Sequence, residues 1–114
     1  MRKKILVLLF IVGFVVSNSF PQTWSIAVHG GAGNMKPENF TKEQLDEYEQ
    51  EMNAALSIGV KILNSGGTSL DAVEQVVRYL EDCPLFNAGR GAVFTHEGRN
   101  ELDAAIMDGK TLMA

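Results

Sequence analysis

Leu45, Tyr48, Met52, Ala55, Leu56, Ile62 and Leu63 recur at the spacing of one helix face, so residues 41–63 read as a single amphipathic helix. Asn64-Ser65-Gly66-Gly67 ends it, because glycine tolerates the left-handed conformation of a helix C-terminus. A second helix follows at once. Thr68 and Asp71 form a capping-box pattern, Leu70, Val73, Val77 and Leu80 supply the apolar stripe, and Pro84 stops it. Before these helices, residues 24–28 are apolar but for Ser25 and read as a short buried strand. After them, residues 92–95 and 101–107 read as strands joined through His96-Glu97-Gly98-Arg99. Asp108-Gly109 predicts a hairpin turn, with residues 111–114 opening a returning strand. The order is strand, two helices, then an antiparallel meander, an α+β pattern with an unfinished sheet.

The N-terminus has a different grammar. Arg2, Lys3 and Lys4 precede an apolar run over residues 5–16 interrupted only by Gly13, and Ser17-Asn18-Ser19 then supplies small residues. The run falls short of the roughly 20 residues that span a bilayer, which favours a cleaved signal peptide over a retained anchor. Residues 1–22 are therefore expected to be removed near Ser19 or Gln22. Residues 23–114 would form the exported part, secreted or periplasmic, with no membrane attachment after cleavage. Removal takes three cations and leaves seven Lys plus Arg against fourteen Asp plus Glu. Such a balance excludes a nucleic-acid footprint, which requires clustered positive charge. Cys83 is the only cysteine, so no internal disulfide forms and a packed core has to stabilise the fold.

Several motifs are candidates for chemistry. His29-Gly30-Gly31-Ala32-Gly33 follows a strand and presents backbone N–H groups without side-chain obstruction. It is similar to the oxyanion loop of lipase-like hydrolases, but the Gly-x-Ser-x-Gly elbow they need is absent from the sequence. Gly89-Arg90-Gly91 fails as a dinucleotide fingerprint because Phe94 stands where the third glycine belongs. Gly109-Lys110-Thr111 fails as a phosphate-binding loop because Ala104 stands where its first glycine belongs. The acidic neighbours Glu81 and Asp82 disfavour a reactive Cys83 thiolate, and His96-Glu97 lacks the second histidine of a zinc helix. Asn39-Phe40-Thr41 matches a glycosylation acceptor, a pattern that also occurs often by chance.

Four segments in one order carry a family resemblance: His29 to Gly33, Ser69-Leu70-Asp71-Ala72-Val73-Glu74, residues 80–94 (LEDCPLFNAGRGAVF) and residues 101–109 (ELDAAIMDG). Together they resemble the α-subunit start of the plant-type asparaginase and isoaspartyl peptidase family, over nearly all of residues 24–114. The resemblance implies an N-terminal-nucleophile αββα sandwich, incomplete in this chain, made as an inactive precursor. Such a precursor cuts itself before a threonine, whose hydroxyl then attacks while its free α-amine acts as base. The substrate would be the side-chain amide of asparagine, a β-aspartyl dipeptide, or both.

The resemblance also assigns roles to residues. His29, Gly30, Gly31, Ala32 and Gly33 would form the glycine-rich loop near the scissile bond. Asn87 would help hold the amino group of the mature threonine. The main-chain carbonyls of Leu80, Glu81, Cys83, Phe86, Ala88 and Arg90 would hold a structural sodium ion, while no cofactor takes part in the chemistry. A β-subunit from the same precursor and an (αβ)2 dimer are the implied partners. The nucleophile, the oxyanion hole and the groups that bind the substrate's α-substituents have no counterpart here and are expected downstream. Glycosylasparaginases are the next resemblance, and a non-enzymatic exported scaffold keeping the fold is the alternative of another class.

Overall fold

The computed structural model describes residues 23–32 and 36–114. Residues 1–22, expected to be a signal peptide, and Gly33 of the glycine-rich loop lie outside the described residues. Two helices dominate: α1, Lys42–Asn64, and α2, Ser69–Asp82. Short 3₁₀ turns flank them at Pro37–Asn39 and Gly89–Gly91.

Both helices start on reciprocal caps. Thr41 Oγ1 accepts the Gln44 amide at 3.3 Å, and Gln44 Oε1 accepts the Thr41 amide at 2.9 Å. Thr68 Oγ1 accepts the Asp71 amide at 3.1 Å, and Asp71 Oδ2 accepts both the Thr68 amide at 3.1 Å and its hydroxyl at 2.6 Å. Each box satisfies donors that the first helical turn leaves without partners. α1 ends as its glycines predict. Gly66 adopts φ +83°, its amide donates to Leu63 at 3.1 Å, and the Gly67 amide donates to Ile62 at 2.9 Å. These two bonds make a Schellman closure, which reverses the chain within four residues and sets α2 against α1.

Small residues form the helix seam. Ala55 and Gly59 of α1 and Ala72 and Val76 of α2 are buried. A β-carbon at Gly59 would stand 3.1 Å from Val76 Cγ2 and 2.3 Å from Ile26 Cδ1, so the segment before the helices packs into the same seam. Tyr79 ties the far end together by donating to Glu51 Oε2 at 2.7 Å. That bond to a carboxylate, with lesser contributions from burial and the Glu51 charge, raises the Tyr79 pKa.

The apolar positions of α1 face inward as expected, but the stripe of α2 is displaced. Leu70, Val73 and Val77 are exposed, whereas Ala72 and Val76 make the contact with α1. A helix as short as α2 has two adjacent apolar edges, and the bulkier one is not the one that fits the tight seam.

The expected strands are not formed among the described residues. Segments 24–28, 92–95 and 101–107 carry no ladder, and the pairing present is an isolated antiparallel bridge between Asp108 and Met113. Residues 24–28 nevertheless alternate: Trp24, Ile26 and Val28 are half-buried, Ser25 and Ala27 exposed. Alternation records which face is covered, but a strand also requires a neighbour in hydrogen-bond register. The α+β class is thus represented here by its helical layer. The Asp108 turn also departs from expectation. Gly109 does not take a positive φ. Leu112 does, at +57°, and Asp108 Oδ1 accepts the Lys110 amide at 2.9 Å. The chain spreads the reversal over residues 109–112, with the Asp108 side chain replacing a two-residue hairpin turn. The turn predicted at residues 96–99 does form, closed by Thr95 N to Arg99 O at 2.7 Å with Gly98 at φ +72°.

Candidate functional site

A cleft of ≈ 690 Å³ brings two of the singled-out motifs together. His29, Gly30, Gly31 and Ala32 form one wall, and Leu85, Phe86, Asn87 and Ala88 form another. The floor comes from the helices, chiefly Tyr48 and Met52 of α1 and Val77 and Leu80 of α2. The loops are nearly sixty residues apart in sequence, and the α1–α2 hairpin is what returns the second to the first.

Phe86 is the joint between them. It is 5% exposed and stands edge-on to Tyr48, with ring centroids 5.9 Å apart. Tyr48 in turn packs edge-on to Phe40 at 5.7 Å and donates its hydroxyl to Leu85 O at 3.1 Å. Edge-to-face contacts of this kind add to the burial of the rings. On the opposite side Gly30 fits against Phe86 Cε1 and Met52 Sδ, which a β-carbon would approach to 3.1 and 3.0 Å. A residue at position 30 too large for Met52 to yield to would push the two walls apart.

The polar inventory of the cleft is short. His29 Nδ1 accepts the Gly31 amide at 3.0 Å. Asn87 Oδ1 accepts the Val93 amide at 3.0 Å, so the carboxamide is oriented with its NH2 remaining as donor. Asn100 Nδ2 donates to Ala92 O at 2.9 Å and to Val93 O at 3.0 Å, holding the strand of chain that orients Asn87. Glu49 is the carboxylate on the lining. Among the described residues the lining includes no serine, threonine or cysteine, and its hydroxyl, that of Tyr48, is engaged with Leu85 O.

The loop expected to offer carbonyls adjoins this cleft, sharing Leu80, Phe86 and Ala88 with it, while Glu81, Cys83 and Arg90 lie off its lining. Gly89, at φ +49°, crosses Glu81 O so closely that a β-carbon would stand 2.2 Å from that oxygen. A β-carbon on Gly91 would stand 2.0 Å from Phe86 O. The carbonyls of Leu80, Cys83, Phe86 and Ala88 each accept one backbone amide, at 3.3, 3.4, 2.8 and 2.9 Å. Each carbonyl oxygen keeps a second lone pair. Arg90 Nε pairs with Asp82 Oδ1 at 3.3 Å across the exposed side of the loop. No three His, Cys, Asp or Glu side chains among the described residues are grouped to hold a metal. What this loop offers is main-chain carbonyl oxygen, a chemistry that suits a hard monovalent cation.

Sequence reasoning found the two walls but not what connects them. Tyr48 and Met52 were legible only as core positions, and a helical stripe carries no mark of which core residues border a cavity. Asn100 gave no signal at all, since its role depends on carbonyls eight and seven residues upstream.

The sequence model of the asparaginase family matches residues 22–114. An isoaspartyl peptidase of Salmonella typhimurium is 49% identical over 89 residues, which cover 78% of this chain and 28% of that protein. A plant-type L-asparaginase of Pyrococcus horikoshii is 48% identical over 90 residues, covering 79% of this chain and 28% of that protein. A probable isoaspartyl peptidase/L-asparaginase 2 of Arabidopsis thaliana is 46% identical over 86 residues, covering 75% and 26%. The chain thus spans about a quarter of the length of the curated relatives it matches.

Proposed function

The chain belongs to the asparaginase family, and from that premise we propose that the whole protein is an exported amidohydrolase acting on L-asparagine, β-aspartyl dipeptides, or both. The observation that supports this reading is the cleft itself, where the His29 loop and the Asn87 loop face each other across Phe86. Gly30 of the first loop lies against the Phe86 ring of the second. Both are held by packing at one place, as a site built from remote segments requires.

In this reading a threonine outside these residues is freed by self-cleavage of the precursor. Its hydroxyl attacks the amide or β-peptide carbon, and its own amine takes the hydroxyl proton. The C–N bond then breaks, and ammonia or an amino acid leaves with that proton. Water hydrolyses the resulting ester and returns aspartate and the threonine hydroxyl. Asn87, oriented by the Val93 bond, borders the cleft and would help to hold the amino group of that threonine by accepting its N–H on the second lone pair of Oδ1. The negative charge that develops on the substrate carbonyl oxygen would be stabilised by groups of the downstream segment, which the resemblance makes the β-subunit of an (αβ)2 dimer.

Sodium would be held by the carbonyls of Leu80, Glu81, Cys83, Phe86, Ala88 and Arg90 and would fix the loop that carries Asn87. It takes no part in bond making. Export rests on Arg2, Lys3, Lys4 and the apolar run that follows. A reporter fused to residues 1–30 should leave the cytoplasm, and retention there would remove that part of the reading.

The deciding experiment expresses the whole protein and asks for two products. One is a pair of chains on a denaturing gel. The other is release of ammonia from asparagine or of the amino acid from a β-aspartyl dipeptide. An uncut chain that turns over neither substrate would overturn the assignment in favour of a scaffold. Hydrolysis confined to glycosylated asparagine would move it to the glycosylasparaginases.

A further inference from the structure

We propose that His29 is a positioning residue for the glycine-rich loop, acting through the backbone amide of Gly31, a role that rests on the hydrolase reading above. Its Nδ1 accepts that amide at 3.0 Å, across two residues. Gly31 is held at φ +110°, a region that glycine enters without the penalty a side chain would impose.

The neighbouring glycine shows why the bond matters. Gly30 lies close to Met52 Sδ and Phe86 Cε1, so the loop has packing contacts at that residue. A β-carbon on Gly31, by contrast, would meet nothing within 4 Å. The loop therefore passes from a packed residue to an open one within a single peptide. The His29 bond is what restrains the open amide among the described residues. Glycine has the most conformational freedom to lose, so an unrestrained Gly31 would sample many loop shapes. Since Nδ1 is the acceptor, the neutral ring carries its proton on Nε2 and keeps a donor on the lining of the cleft.

The geometry separates two side-chain amides as replacements. Asparagine can place an acceptor oxygen where Nδ1 stands, whereas glutamine, one methylene longer, places it near the position of Nε2. In the whole precursor, His29→Asn should retain self-cleavage and kcat/KM on asparagine close to the unmodified protein. His29→Gln and His29→Ala should each lower both by about tenfold, the worth of one hydrogen bond. Glutamine performing as well as asparagine, asparagine failing as badly as alanine, or all three matching the unmodified protein would overturn the proposal.

A second measurement covers the case in which the variants fail to fold. Long-range ¹H–¹⁵N correlation on the unmodified protein should show His29 Nδ1 without a proton, and a protonated Nδ1 at neutral pH would overturn the proposal. Should the unmodified protein neither cut itself nor turn over substrate, the hydrolase reading fails. The correlation spectrum then decides the His29–Gly31 bond by itself.

Discussion

Gly30 lies against the Phe86 ring so closely that a β-carbon there would stand 3.1 Å from Cε1. This approach connects the loop before the helices to the loop after them, and the width of the cleft depends on it. The contact is asymmetric in its tolerance. Met52 Sδ, at 3.0 Å on the other side, belongs to a flexible side chain, whereas Phe86 is buried and held by Tyr48.

The first prediction follows from that asymmetry. Gly30→Ala should be accommodated by a shift of Met52, with a small loss of stability. Gly30→Val cannot be, because its two branches would press on both neighbours, and overpacking of this kind costs about 1–3 kcal/mol. Thermal melts of the whole protein check the order, alanine near the parent and valine well below it. Equal melting temperatures for the two variants would contradict the close approach.

A second prediction concerns the seam between the helices. Gly59→Ala gains roughly 1 kcal/mol of helix propensity but drives a methyl to 2.3 Å from Ile26 Cδ1. Ile26→Val removes that δ-carbon. The double variant Ile26→Val/Gly59→Ala should therefore be more stable than the two single changes added together, with a coupling of about 1 kcal/mol. Denaturant melts of the four proteins in the cycle measure it. Strict additivity would mean that residues 24–28 do not pack on α1.

The third prediction is a pH dependence at the start of α2. The Thr68 hydroxyl, then the Thr68 amide, lower the Asp71 pKa by hydrogen bonding to the carboxylate. A carboxyl group whose folded value is depressed binds its proton less readily when folded. Its stabilising contribution is present above the unfolded pKa and is lost as pH falls through the folded one. Stability should decline on acidification below the ordinary carboxylate range, and Asp71→Asn should flatten that part of the profile. Thr68→Ala should cost about 1 kcal/mol at neutral pH through loss of the cap. An unchanged acid limb in Asp71→Asn would show that the carboxylate does not cap the helix.

What the sequence disclosed about the fold divides along the line between local and remote interactions. Thr41 with Gln44, Thr68 with Asp71, and Gly66 after Leu63 each act within a few residues, and each helix end stands within a residue of its predicted place. The strands needed partners, and pairing in register is not written into residues 24–28 or 101–107, only the faces they would cover. The site was legible in the same uneven way. His29 to Ala32 and Asn87 stand out by composition and by resemblance, because glycines and polar residues punctuate an apolar pattern. Tyr48, Met52 and Asn100 are invisible without coordinates. Two of them share the period of an ordinary core stripe, and the third works on carbonyls brought near by a turn.

The final prediction separates backbone from side chain in the loop after α2. A β-carbon at Gly91 would stand 2.0 Å from Phe86 O and 2.6 Å from Pro84 O, and backbone oxygens cannot move aside as a flexible side chain can. Gly91→Ala should therefore distort the loop as a whole. Arg90 and Cys83 would act only through their carbonyls. The Arg90–Asp82 pair is exposed on both sides, and such pairs contribute about 0–1 kcal/mol. Arg90→Ala and Cys83→Ser should accordingly leave the loop intact. The measurement is the melting temperature of the whole protein in sodium chloride and in tetramethylammonium chloride at equal ionic strength. The unmodified protein, Arg90→Ala and Cys83→Ser should all melt higher in sodium, and Gly91→Ala should lose that difference. A sodium effect that disappears with Arg90→Ala would place the cation on side chains and remove the carbonyl loop as its site. Absence of any sodium effect in the unmodified protein would remove the cation itself, and the two glycines would then serve only to fold the chain back over its own carbonyls.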